Sequence, residues 1–333
     1  MPSCHAGRRA ALRLLGAGAG IGLGFGAPAI RPARAAAWPA EQPVTVIVPF
    51  PPAGGVDVMA RVVVQHVAPH LPGARFVVEN RVGAGGQLGF EAAFRAAPDG
   101  YTLGCVTTPA LSTIALERRV QYRVPDFTYI ANVVDDPGGF FVPPESPIRS
   151  LGELQAAAKR APEALAYGTS GVGSDDHLLG IAFEEAAGVR LAHIPYNGTA
   201  PIITDLLGGR LAFGSFNMSE ASALLREGKV RALAQGGAER WSGTPDVPTF
   251  REQGFAVTGG SARGVVAPPG LPDAIRERLV EAFGAAMRSP GFLADAQRLN
   301  LPAAPRLGAD YRAFILSGDE AARALWGRRP WRE

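Results

Sequence analysis

The chain has 333 residues, of which 42 are glycine and 29 proline, with 47% hydrophobic and 19% charged residues. Its formal charge of +3 comes from the amino terminus: residues 1–37 hold five arginines and no acid, and beyond them 28 basic residues face 30 acidic ones, a net charge of about −2. With no basic stripe and interleaved aromatics left, nucleic-acid binding is excluded, and with Cys105 the one cysteine besides Cys4 there is no disulfide framework.

In chain order, Arg8 and Arg9 precede an uncharged run from Leu14 to Ile30 and a small-residue exit, Ala33-Arg34-Ala35-Ala36-Ala37. This pattern predicts an export signal over residues 1–37, cleaved near 35–37. The arginine pair in Gly7-Arg8-Arg9-Ala10 is similar to a twin-arginine signal. No later segment approaches a membrane span, so the mature chain of about 296 residues is expected to be a soluble monomer, long enough for two domains.

Val44–Phe50 predicts a buried strand, residues 57–71 a helix closed by Pro72-Gly73, and Phe76–Glu79 a second strand. A helix over 86–97 and a strand over 102–107 complete a βαβαβ unit. Cys105 lies in the apolar run Tyr101–Val106 and is expected to be a buried, inert thiol. Around 133–147 the chain turns rich in proline and glycine, and Ser150 with Glu153 writes a capping box, so a crossover into a second domain is placed there. Strands are predicted over 165–169, 191–195, 211–216 and 230–235, and helices over 174–188 and 199–208. A return strand at 265–268 and helices over 272–288 and 310–325 bring the chain back to the first domain. The fold class read from this alternation is α/β, with a mainly parallel sheet in each domain.

In such sheets ligands collect at the carboxyl ends of strands. Pro49-Phe50-Pro51-Pro52-Ala53-Gly54-Gly55-Val56-Asp57 follows the first strand and opens a helix, so Pro52, Ala53, Gly54 and Gly55 can bring backbone amides to an anion, with Asp57 as a helix cap. Thr107 and Thr108 close the third strand. Tyr167-Gly168-Thr169-Ser170-Gly171-Val172-Gly173-Ser174 leads into a second helix start, making Thr169, Ser170, Gly171, Gly173 and Ser174 a second anion cradle. His177 falls in that helix's first turn, bonded either to a backbone carbonyl or to ligand. The glycines at 83, 85 and 89 miss the dinucleotide spacing, Gly168-Thr169-Ser170-Gly171-Val172 lacks the last glycine of a nucleophile elbow, and Ser174, Asp176 and His177 crowd one helical turn. No catalysis, cofactor or metal is expected.

Six segments together carry a resemblance over 38–325: Pro49–Gly55 with Asp57, Val78–Gly86, Ala97–Leu103, Thr169–Ser174 with His177-Leu178, Pro195-Tyr196 with Asp205–Gly209, and Pro245–Thr249. The chain resembles the Bug/TctC solute receptors of tripartite tricarboxylate transporters. The resemblance implies a two-lobed periplasmic-binding-protein fold of type II, a Venus flytrap with a two-crossover hinge, with lobe 1 from 38–141 plus 261–333 and lobe 2 from 142–260. It also implies a periplasmic receptor for a small carboxylate, whether a dicarboxylate, tricarboxylate, acidic amino acid or aromatic acid, delivered to membrane permease subunits. Loops 51–57 and 169–174 would then face each other, with Tyr196 and Asn217 added to the contacts. A receptor signalling to a membrane sensor, or an exported enzyme on the same plan, are the alternatives. Ala212 and Phe216 stand where the family often has acids, predicting a less acidic, more apolar cleft floor. Arg263 stands near the return crossover in place of a common aromatic residue, and is expected to pair with a second ligand carboxylate.

Overall fold

The computed structural model describes residues 38–331; the predicted export signal lies outside the described residues. The sequence Val-Thr-Val-Ile-Val of β1 (Val44–Val48) is buried along its length, between β2 (Phe76–Asn80) and β3 (Thr102–Thr108) and parallel to both. α1 (Gly55–Val67) turns Met59, Ala60, Val63 and Val67, three or four residues apart, toward one face of this sheet. α2 (Gln87–Phe94) sends Phe90 and Ala93 into the cluster that also holds Tyr311. α3 (Ala110–Glu117) follows β3.

β4 (Thr128–Val142) then runs for 15 residues through two sheets. From Thr128 to Pro137 it pairs antiparallel with β9 (Gly260–Ala267); from Gly138 onward it pairs with β7 (Phe213–Asn217) and β8 (Arg231–Gln235). The second sheet is completed by β5 (Ala166–Thr169) beside β7 and β6 (Ala192–Pro195) at the edge. α4 (Leu151–Arg160) and α5 (Asp175–Ala187) cover one face, α6 (Thr199–Leu207) and α7 (Met218–Arg226) the other. After β9, α8 (Asp273–Arg288) and α9 (Pro290–Arg298) pack with α1; β10 (Ala303–Leu307) joins β4, and α10 (Gly308–Arg328) packs with α3.

The two sheets make two lobes, as the alternation implied, but neither sheet is mainly parallel. Four strand pairs among the described residues are parallel and five antiparallel. The reason is the hinge: β4 carries the chain out of the first lobe and β9 brings it back, so they enter the sheets in opposite directions without a crossover helix. The proline and glycine near 137 do not end the strand. They mark where it changes sheet. Gly138 N–H donates to Gly259 O at 3.0 Å, Gly259 N–H to Gly236 O at 2.9 Å and Gly236 N–H to Gly138 O at 2.7 Å, so backbones cross here with no room for a Cβ. The Ser150 cap is present, its Oγ accepting Glu153 N–H at 3.2 Å, while Glu153 reaches back to Arg149 N–H.

The residues after α10 touch both lobes. Trp331 is buried with Ile181 of α5 and Ala322 of α10, and its Nε1–H donates to Glu117 Oε1 at 2.7 Å. Arg329 pairs with buried Glu184 of α5 at 2.6 Å. Trp331→Ala removes a large buried ring and should cost about 3 kcal/mol, lowering the thermal midpoint by roughly 6 °C or more. Differential scanning calorimetry checks it; an unchanged midpoint would mean the strap carries no load.

Candidate functional site

The loop after β1 is shaped by one carboxylate. Ala53 adopts φ +65°, left-handed for a residue with a Cβ, and its N–H is held by Asp57 Oδ2 at 2.9 Å. Asp57, 3% exposed in the first turn of α1, also takes a forked pair of bonds from Arg61 at 3.0 and 2.9 Å and one from Asn80 Nδ2 at 2.9 Å. Asn80 Nδ2 lies 2.9 Å from Phe50 O as well, tying the loop down from β2. The Arg61 hydrogen bonds, ahead of burial, hold the Asp57 carboxyl down at about 2. With its oxygens occupied, Asp57 anchors the loop from below rather than meeting a ligand. Gly54 is the N-cap residue and has no side chain to cap the helix, so the first-turn amides of α1, at Gly55 and Val56, stay open to an anion.

The loop after β5 is braced in the same manner. Ser170 N–H donates to Asp176 Oδ2 at 3.2 Å and its hydroxyl bonds the same oxygen. Ser174 is the N-cap of α5, accepting His177 N–H at 3.2 Å. Gly171 and Gly173 take φ +141° and +70°, which a side chain would resist. His177 bonds neither a carbonyl nor an open cleft: its Nδ1 accepts Gly173 N–H at 3.1 Å. Its ring stacks on His193, centroids 3.7 Å apart, and His193 Nε2 sits 2.7 Å from Thr169 Oγ1. Burial, together with His193, pushes the His177 pKa down to about 3, and burial pushes His193 to about 4. Two neutral imidazoles therefore prop this loop. A Cβ on Gly173 would collide with Glu117 of α3, so the two lobes meet here.

Between the loops lies the floor. Thr107 is buried at the end of β3 and is register partner to Arg263 of β9, with the half-buried Thr108 next to it. Arg263, 6% exposed, directs Nη2 to Asp136 Oδ2 at 3.1 Å and to Asn217 Oδ1 at 3.5 Å. Its Nη1 lies 2.5 Å from where a Cβ on Gly55 would stand. Asn217 caps α7 with Glu220 and donates to Asp175 Oδ2 at 2.8 Å. Tyr196 gives its hydroxyl to Asp205 at 2.8 Å, on the α6 side, and holds Thr169 O through its N–H. The expected apolar floor is not there. Phe216 is buried in the second lobe, stacked on Phe141 at 4.2 Å, and Ala212 packs in that lobe's core. The residues around Arg263 and Asn217 are instead Asp136, Asp175, Asp176 and Glu220. Burial raises Asp136 and Asp175 to about 6, and burial beside Asp175 lifts Asp176 well above the usual carboxylate range. A cavity of about 1480 Å³ opens between α5, α10 and residues 236–243; it reaches this floor at Thr108 and Asp175 but touches neither loop.

A family model described as the tripartite tricarboxylate transporter family receptor, TctC, matches residues 59–315. The chain belongs to the TctC receptor family. BugT of Bordetella pertussis is 35% identical over 290 residues, spanning 79% of this chain and 88% of that one. A TctC solute-binding protein from Polaromonas superposes with TM-score 0.77 at 28% identity, covering 88% of this chain and all of that one. MatC of Rhodopseudomonas palustris, solved with bound malate, gives TM-score 0.68 at 29% identity over 86% of this chain and 96% of its own.

Reasoning from sequence missed the TctC-family chain's bracing residues: Asn80, Asp136, Asp175, Asp176 and His193. Adjacent acids at a helix start, Asp175-Asp176, were the legible signal for two of them. Asp57→Ala frees Ala53 and strands Arg61 and Asn80; it should cost about 2 kcal/mol in urea unfolding and shrink any ligand-induced thermal shift. A variant as stable as wild type would refute the anchor. An imidazole with a lowered folded pKa protonates more readily when unfolded, so the stability it supplies is full above about pH 6.5 and falls as pH drops toward about 4. The raised carboxyls act in the opposite sense, so the histidine contribution is read as a difference. His193→Gln should lose less stability than wild type between about pH 6.5 and about pH 4.5; parallel curves would show that His193 is not held neutral.

Proposed function

We propose that this receptor is exported to the periplasm, captures a small carboxylate between the loops at 51–57 and 169–174, and delivers it to the membrane permease subunits of a tripartite tricarboxylate transporter. The observation that carries the reading is the start of α1, where a loop braced by Asp57 and an N-cap glycine leave the Gly55 and Val56 amides open to an anion, with a second glycine-rich loop braced before the start of α5. Each helix terminus supplies about 0.3–1 kcal/mol by its dipole. Micromolar affinity needs about 8 kcal/mol, so direct and water-bridged hydrogen bonds from the Gly55 and Val56 amides and from Thr107 and Thr108 supply the larger part. The malate held by MatC supports the ligand class. Turnover finds little support: the histidines nearest the loops are stacked on each other and bonded to loop atoms, so neither is poised as a general base.

The test is thermal shift against mono-, di- and tricarboxylates, with mass spectrometry of any co-purified acid. A matching ligand at a hundred times its Kd should add about 2.7 kcal/mol, read as a raised midpoint, and should be recovered chemically unchanged. No shift with any carboxylate, or conversion of the bound acid, would overturn the reading.

A further inference from the structure

Arg263 is the one cation bonded into the cleft floor, and it is only half used. Nη2 is taken by Asp136 and Asn217, whereas Nη1 and Nε make no hydrogen bond among the described residues, and Nη1 lies against Gly55, the first residue of α1. Its counter-charge is fixed. Asp136 is fully buried at the crossover, Oδ1 accepting Ser219 N–H at 3.1 Å in the first turn of α7 and Oδ2 accepting the Ser219 hydroxyl as well as Arg263. The pair thus ties β9 to the hinge strand β4 and to α7 of the other lobe, directly below the open amides of the first loop.

Building on the carboxylate reading above, we propose that Arg263 receives the second carboxylate of a dicarboxylate, and that Asp136 is a positioning residue that sets how strongly it does so. Ionised Asp136 offsets the guanidinium charge; protonated Asp136 leaves that charge to the ligand. A dianion held at Nη1 and Nε repels ionised Asp136, so binding takes up a proton and dicarboxylate affinity rises as pH falls. The groups facing Asp136 agree with this. From β9 there is Arg263; from α7, Ser219 and Glu220, the latter opposing ionisation; from the end of β7, Asn217, which links it to Asp175 of α5. Asp135, next in the chain, turns away to Arg306 of β10. Burial raises the Asp136 pKa to about 6, within reach of the change. A monocarboxylate, seated on the loop amides alone, lacks this coupling.

The experiment measures Kd by calorimetry for malate against lactate, and for adipate against pentanoate, each pair differing by one carboxylate, on the mature protein and its variants. In wild type the dicarboxylate of a pair should tighten at least threefold from about pH 8 to about pH 6.5, where it stays largely ionised, with the monocarboxylate flat. Asp136→Asn, which keeps the shape and an oxygen acceptor, should raise the dicarboxylate-to-monocarboxylate affinity ratio about fivefold at about pH 8 and abolish its pH dependence. Arg263→Gln should lower that ratio at least tenfold; because it leaves a buried carboxylate without its partner, the double variant Asp136→Asn/Arg263→Gln provides a neutral, folded version with the same low ratio. Equal changes for both members of a pair, a flat wild-type pH profile, or binding of monocarboxylates alone would overturn the inference while leaving the carboxylate reading intact. Failure of every carboxylate in the panel would overturn both.

Discussion

β4 and β9 lie hydrogen-bonded and antiparallel from Thr128 to Pro137, and at that point both chains pass into the other sheet through glycines whose backbones are in contact. The loops that can meet a ligand hang from strands on either side of this crossing. β3, next to β9, carries Thr107, and β1 beyond it carries the first loop; β7, next to β4, carries Asn217, and β5 beyond it carries the second. A small rotation about these two strands would move the loops relative to each other while the hydrogen bonds within each sheet are kept. The mixed strand directions follow from the same need, since a chain that must leave one lobe and return needs one strand each way.

Both loops are braced by buried carboxylates. Asp57 and Arg61 hold one, Asp176 and the stacked imidazoles of His177 and His193 hold the other, and each loop contains a residue in the left-handed region, Ala53 in the first and Gly173 in the second. Beneath the loops the charge balance is close: Arg263 stands among Asp136, Asp175, Asp176 and Glu220, and burial leaves three of these acids holding their protons more tightly than in water. Their burial is offset by hydrogen bonds to Ser219, Asn217 and Ser170.

Local pattern made most of the elements legible. The buried strands, the Ser150 and Ser174 caps and the glycine that ends α5 at Gly188 are all set by neighbours a few residues away. What escaped depends on distant contacts. β4 was hidden because Pro137 and the glycines after it read as a break, although they serve a strand that changes partners. α3, α7, α9 and β10 are short, yet Asn217 and Glu220 spell out the α7 cap. Phe216 misled because β7 is buried on both faces, and one strand alone cannot say which face is the cleft. Arg263 was visible as a lone charge in an apolar run, but its partner Asp136 stands 127 residues earlier. The two glycine-rich loops were readable from spacing, and the buried partnership of Asp136 with Arg263 was not.

Cys105 is the one cysteine of the described residues; it is 1% exposed in the first sheet, and burial pushes its thiol up to about 12. At neutral pH it is neither ionised nor reachable. A cysteine engineered at an exposed point such as Pro52, and another on α6, would then be the only thiols among the described residues that a maleimide or a spin label can find. The described residues are therefore silent to thiol reagents, so the distance between the two lobes can be read by a pair of probes without first stripping a native thiol from the core.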